Sequence, residues 1–168
     1  MTEYATAVAL PTTSFEEFVA NRGRALAGFA LLVTGNRADA QDAVQEALIG
    51  AYPRWQRIAA QGDPSAYVRR SIINRHISLR RKLSRLVALG DTEQPAPDRT
   101  TELIGRDWAL KLVGQLPAKQ RVAVVLRVLE DQGFPEIAAL MGVSEANARK
   151  LVSRGLAALR SELERGRQ

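Results

Sequence analysis

Asn147, Arg149, Lys150, Ser153 and Arg154 fall at helical spacing within SEANARKLVSRGLAALR, residues 144–160. Guanidinium and ammonium groups donate to guanine O6 and N7 or to phosphate, a carboxamide can read adenine, and a hydroxyl suits either role. The chemistry such a set could do is recognition of a nucleic acid, with no bond made or broken. A second set is Arg69, Arg70, Arg75, Arg80, Arg81, Lys82 and Arg85, in residues 64–90, a stretch with no Asp or Glu. An excess of one sign along a helix suits a surface that tracks phosphates. Asn74 in that stretch reads either as a base reader or as a buried amide satisfied internally. A third set has the opposite sign: Asp39, Asp42 and Glu46 share one face, with Gln41 and Gln45 beside them. Phosphate would repel that stripe, and a protein partner would explain it. A solvated charged face competes with each reading, evenly for the second set, and for the acidic set taken alone it is the plainer one.

Bond-making chemistry finds little support. The chain has no Cys and one His, His76, which excludes a disulfide framework and a thiolate metal site and argues against a His-based metal site or a Ser-His triad. Asp39 and Asp42 lie on an open helix face, and the glycines do not have phosphate-loop spacing. The expectation is no catalytic residue, no metal and no cofactor. A nucleic-acid enzyme such as a deaminase or nuclease is disfavoured for want of ligands.

Hydrophobic residues make up 46% and charged residues 25% of the 168 positions, the balance of a globular protein of one domain or two small ones. No apolar run approaches the ~18 residues needed to span a bilayer. The N-terminus carries Glu3 and no basic stretch, a poor signal peptide. The expected compartment is the cytoplasm, with no membrane insertion. Residues 1–90 carry a net charge of +5, residues 91–102 of −3 and residues 103–168 of +4. Two basic blocks flanking a short acidic one suit a polyanionic partner.

The elements that must position these sets are helices, because no stretch alternates with period 2 for long enough to make a sheet. Ser14 and Glu17 form a capping box ahead of Phe15, Phe18, Val19, Arg22, Leu26, Phe29 and Val33 at helical spacing, and Thr34-Gly35-Asn36 ends that helix. A second helix begins near Ala38 with the stripe Ala40, Ala43, Val44, Ala47, Leu48, Ala51, Tyr52 and Trp55, and Pro53 should kink or restart it. Asp63 and Pro64 open a third helix running to about Leu86, with Tyr67, Ile73 and Ile77 on its buried side. ALGDTEQPAPDRTT, residues 88–101, reads as a linker. Leu103–Gln115 and a helix opened by Pro117 follow.

FPEIAALMGVSEANARKLVSR, residues 134–154, then has the layout of a helix-turn-helix. Ile137, Ala138 and Met141 face inward, Gly142 suits a left-handed C-terminus, Val143 can plug between the helices and Ser144 caps the second. Ala148, Leu151, Val152, Gly155 and Leu159 would face inward on that second helix, which in this motif enters the major groove. A helical hairpin with a solvated basic face is the competing reading.

Taken in order, these motifs resemble those of the extracytoplasmic-function (ECF) group of bacterial RNA polymerase sigma factors, the minimal two-domain type. DAQDAVQEAL at 39–48 is similar to the region 2.2 pattern, and DPSAYVRRSIINRHISLRRKL to regions 2.3–2.4. LPAKQRVAVVLRVLEDQGFPEIAALMGVS is similar to regions 4.1–4.2, including Arg121 and Leu126-Arg127. The resemblance spans residues 14–162, nearly the whole chain.

The resemblance implies an all-α fold of two small helical domains joined by a flexible linker. A disordered N-terminus would occupy 1–13 and sigma region 2 would occupy 14–87, for core polymerase binding and −10 recognition and melting. The linker would span 88–102, threading the active-site and RNA-exit path, and sigma region 4 with its helix-turn-helix would span 103–168, for −35 recognition. Asp42, Gln45 and Glu46 would contact the beta-prime clamp of core RNA polymerase, and region 4 the beta flap. The loop from Arg57 to Ala66 would receive an unstacked −10 base. Tyr67, Arg70, Asn74, Arg75, Arg80 and Arg81 would hold the −10 strand of promoter DNA. Asn147, Arg149, Lys150, Ser153 and Arg154 would read the −35 element. An anti-sigma factor is a further partner that the two-domain layout permits. This sequence departs from the family at Ser78, where an Asp is frequent, and at Ala146-Asn147-Ala148, where Gly-Thr-Val is frequent, so its −35 sequence does not follow from relatives. The other functional class is a stand-alone helix-turn-helix regulator, which needs neither the acidic face nor the second basic helix and is usually a dimer on a palindrome.

Overall fold

The computed structural model describes residues 13–90 and 108–166. All regular elements among the described residues are helical. Ser14 opens α1 (Phe15–Thr34), and both halves of the capping box with Glu17 are made. Gly35 closes α1 at φ 83°, in the left-handed region that side chains resist. Asn36, read from the sequence only as a stop, is the N-cap of α2 (Arg37–Ala51): its Oδ1 accepts from the Asp39 N–H at 2.8 Å. Pro53 restarts the helix through a 3-10 turn (Tyr52–Arg54) that leads into α3 (Trp55–Ala60). Asp63 caps α4 (Pro64–Ala88), accepting from the Ser65 N–H at 2.9 Å.

The second group is α5 (Trp108–Gly114), α6 (Ala118–Val128), α7 (Phe134–Met141) and α8 (Glu145–Arg165). α8 continues past Arg160, and Glu162 and Arg165 pair across its last turn. α4 takes in Ala88, read from the sequence as the start of the linker. The linker from residue 91 onward, residues 1–12 and residues 103–107 lie outside the described residues. Thr13 belongs to the fold: its carbonyl accepts from the Trp55 indole N–H at 2.9 Å.

One core lies within the first group. Phe18, Leu26 and Ala30 of α1, Ala40, Ala43, Ala47 and Ala51 of α2, Trp55 and Ile58 of α3, and Val68 and Ile72 of α4 are buried together. The four alanines sit three or four residues apart on one stripe of α2, which brings that helix close to α1 and α4. Val68 and Ile72 take the inward place read for Tyr67, which is 37% exposed. Arg22 likewise turns outward.

The second core joins the two groups. Leu32 and Val33 of α1 and Ile73 and Ile77 of α4 pack with Val122, Ala123, Val125 and Leu126 of α6, Ile137 and Ala138 of α7, and Ala148 and Val152 of α8. The two helical units are therefore laid against one another. α6 and α8 cross so closely that a Cβ on Gly155 would stand 2.5 Å from Val124 Cγ2.

Candidate nucleic-acid interface

The helix-turn-helix forms as its residue types require. Gly142 ends α7 at φ 65°. Val143 packs against the core between the helices, and Ser144 Oγ accepts from the Asn147 N–H at 3.1 Å. Ala148, Val152 and Gly155 of α8 are buried and Leu151 and Leu159 half-buried, so the opposite face points outward. Asn147, Arg149, Lys150, Ser153 and Arg154 are all exposed on that face. The Arg149 guanidinium is held in place. Its Nη2 donates to Glu145 Oε1 at 2.8 Å, and its central carbon lies 4.3 Å from the Phe134 ring centre.

On α4, Tyr67, Arg70, Asn74 and Arg81 follow the three-four-seven spacing of one helix face. Asn74 is exposed, which removes the buried-amide reading and leaves its carboxamide accessible. Arg75 turns aside and pairs with Glu46 of α2. Arg80 lies on the other flank, where its charge acts on His76 and Arg121. The six residues assigned to the −10 strand thus form one strip with a cation on each side.

Asp42, Gln45 and Glu46 are exposed on α2. Asp39 is partly engaged, since its Oδ2 accepts from the Asn36 side chain at 2.6 Å. An open groove of about 510 Å³ runs between α2 and α4, lined by Glu46, Arg54, Tyr67, Arg75, Ser78 and Lys82 among others. Glu46 of the acidic set and Arg75 and Lys82 of the basic set therefore border a single groove, which sequence spacing does not show.

Three arginines tie the two units together, and none stood out from the sequence by type or spacing as a tether. Arg69 Nε and Glu130 Oε1 are 2.8 Å apart. Arg81 Nη2 donates to the Leu140 carbonyl at 2.9 Å, covering the negative end of α7. Arg121 donates to the Gly114 and Leu116 carbonyls of its own unit at 3.2 and 3.5 Å and to the Thr34 carbonyl at the end of α1 at 3.3 Å. Arg121 stands directly ahead of the apolar run VAVVL.

His76 sits buried beside this junction. Burial first, then Arg80 and Arg121, push its pKa down to about 4, against a weaker upward pull from Asp39. The folded protein holds the imidazole neutral where the unfolded chain binds a proton. Stability from this residue is therefore complete above about pH 6.5 and is lost as pH falls toward about 4, up to roughly 3 kcal/mol in all. Denaturant titrations from pH 7 to 4 on wild type and His76→Asn test it: the wild-type curve should fall more steeply, and parallel curves would remove His76 as the cause.

Among the described residues, no cluster of His, Cys, Asp or Glu could hold a metal ion, and no helix is long and apolar enough to cross a membrane. The described residues display three charged helix faces, on α2, α4 and α8. Residues 18–86 match the family model described as Sigma-70 region 2, and residues 106–159 match Sigma-70, region 4. The chain is 36% identical over 152 residues to the RNA polymerase sigma-E factor of Streptomyces avermitilis, covering 89% of this chain and 85% of that one. It is 26% identical to the ECF RNA polymerase sigma factor SigM of Mycobacterium tuberculosis, covering 87% of this chain and 75% of that one. Its fold is similar to that of the sigma factor RpoE of Bartonella quintana, solved in complex with the anti-sigma factor NepR, with TM-score 0.57, 23% identity, and coverage of 89% of this chain and 96% of that one. Two consecutive sigma-70 regions, with a curated relative matched along most of its length, place the chain in the family: it belongs to the RNA polymerase sigma factors, in the extracytoplasmic-function group.

Proposed function

We propose that the chain is the promoter-selecting subunit of RNA polymerase and that its three charged surfaces divide the work. Asp42, Gln45 and Glu46 dock on the beta-prime clamp of core polymerase. Tyr67, Arg70, Asn74, Arg75, Arg80 and Arg81 hold the −10 strand as it separates. Unstacking costs a few kcal/mol per step, and the cations and the Tyr67 ring on α4 help offset it. Asn147, Arg149, Lys150, Ser153 and Arg154 read the −35 element in the major groove, while region 4 rests on the beta flap. Region 2 spans 14–87 and region 4 103–168, with 88–102 between them. The chain carries out no catalytic step of its own and works in the cytoplasm beside core polymerase. An anti-sigma factor that covers either unit would hold it inactive.

The observation that carries this reading is the acid-free helix α4, whose Arg75 and Lys82 share one groove with Glu46 at the edge of the acidic stripe on α2. A stand-alone regulator has no use for that juxtaposition. The test is run-off transcription and permanganate footprinting with core polymerase, using wild type and Glu46→Lys. Wild type should yield transcript and reactive thymines in the −10 region. Glu46→Lys should bind core about ten- to a hundredfold more weakly, since a docking acid becomes a repelling cation, and should bind isolated −35 duplex as wild type does. Duplex binding by wild type without initiation or an open bubble would sink the sigma reading.

A further inference from the structure

Phe134 opens α7, outside every set of residues assigned above to DNA or polymerase, yet it touches the cation at the head of the −35 face. The Arg149 guanidinium carbon lies 4.3 Å from its ring centre, within the range where a cation is attracted to an aromatic face. A second guanidinium, that of Arg127, lies 4.8 Å from the same ring centre. Arg127 is itself fixed, donating through Nη1 to the Gln132 carbonyl at 3.0 Å. Phe134 also packs against the core that joins the two units. The ring is thus braced from behind, and Arg149 meets a rigid partner.

Arg149 is gripped at a second point by the Glu145 carboxylate one turn earlier, at 2.8 Å. An exposed arginine ordinarily samples many rotamers. Here the ring and the carboxylate together limit both the position of the guanidinium and the direction of its plane. A plane fixed beforehand presents two parallel N–H groups to guanine O6 and N7, the commonest specific arginine contact, without the cost of ordering the side chain on binding.

We propose that Phe134 is a positioning residue for promoter recognition: its ring orients the Arg149 guanidinium so that α8 discriminates for guanine at one position of the −35 element. The proposal rests on the reading that Arg149 meets a −35 base. Glu145 cooperates by holding one edge of the guanidinium and leaving the others to the base. Arg127 serves the ring and stays off the DNA.

The test is initiation by holoenzyme, the full chain with core polymerase, on promoters carrying each of the four bases at each −35 position. Phe134→Leu keeps an apolar side chain of similar bulk but loses the ring face. It should reduce preference about two- to fivefold at a single −35 position, with preferences elsewhere and at −10 unchanged. Phe134→Tyr keeps the face and should restore the wild-type profile. Arg149→Ala should flatten the same position further, and Phe134→Leu added to Arg149→Ala should do nothing more there. Loss of preference at all −35 positions, or an equal further loss in the Arg149→Ala background, would overturn the positioning role and leave Arg149 as reader. An unchanged profile for Arg149→Ala would instead overturn the assignment of Arg149, and the role of Phe134 with it.

Discussion

Arg121→Ala should cost the chain about 2–4 kcal/mol of folding stability. The side chain is 7% exposed and serves three backbone carbonyls, one of them Thr34 in the other unit. Those carbonyls include the negative end of α1, so a cation suits the place. Two things oppose that gain. Nε is buried with no hydrogen-bond partner, and burial followed by the nearby Arg80 charge pushes the group below its usual pKa. Three charge-assisted bonds should still outweigh one orphaned donor, because alanine leaves the carbonyls facing a void. Arg121→Lys keeps the charge without the fork and should fall between the two. Denaturant unfolding measures the loss, and hydrogen exchange in the last turn of α1 should speed up alongside it. A loss below about 1 kcal/mol would mean that desolvation cancels the hydrogen bonds.

Linking the two units covalently should abolish initiation almost completely. The −10 and −35 elements are separated by about 25 base pairs, or about 85 Å at 3.4 Å per step. A compact chain of 168 residues has a radius of gyration of only about 15 Å. With Arg81 on the Leu140 carbonyl and Arg69 on Glu130, the α4 strip and the helix-turn-helix lie side by side, so the packed arrangement cannot reach both elements at once. The chain has no cysteine, and Arg69→Cys with Glu130→Cys offers a unique pair for a short reducible cross-linker. The cross-linked protein should give about a hundredfold less run-off transcript than the same protein after reduction. Equal transcript before and after would mean that the two units need not part.

The local structure was legible because it is written in residue types with local causes. Ser14 with Glu17, Asp63 with Pro64, and Gly142 with Ser144 each fix a helix end through their own backbone, and each formed as read. The exposed α8 face followed from the opposing buried stripe of Ala148, Val152 and Gly155. What stayed hidden has causes distant in sequence. Helical periodicity shows that Ile73 and Ile77 point inward, but not that their partners are Val122, Val125 and Leu126. Arg69 reads as one more phosphate ligand until Glu130 is beside it, 61 residues on. Tyr67 was misread as buried because aromatic bulk at helical spacing resembles core, while Val68 and Ile72 already fill that side. Phe134 looked like a helix start, and only the fold sets it against Arg149.

The shared core also sets the terms on which any partner meets this protein. If the packed form outnumbers the parted form a hundredfold, a partner that needs the parted form binds a hundredfold more weakly than its contacts alone would give, a deficit of about 2.7 kcal/mol. A partner that fits the packed form incurs no such deficit. Substitutions at Leu126 or Ile137, buried in that core, would then retune affinity for both by changing that ratio. The interior of the protein is in that sense a setting for its occupancy of polymerase, adjustable without altering a single contact residue.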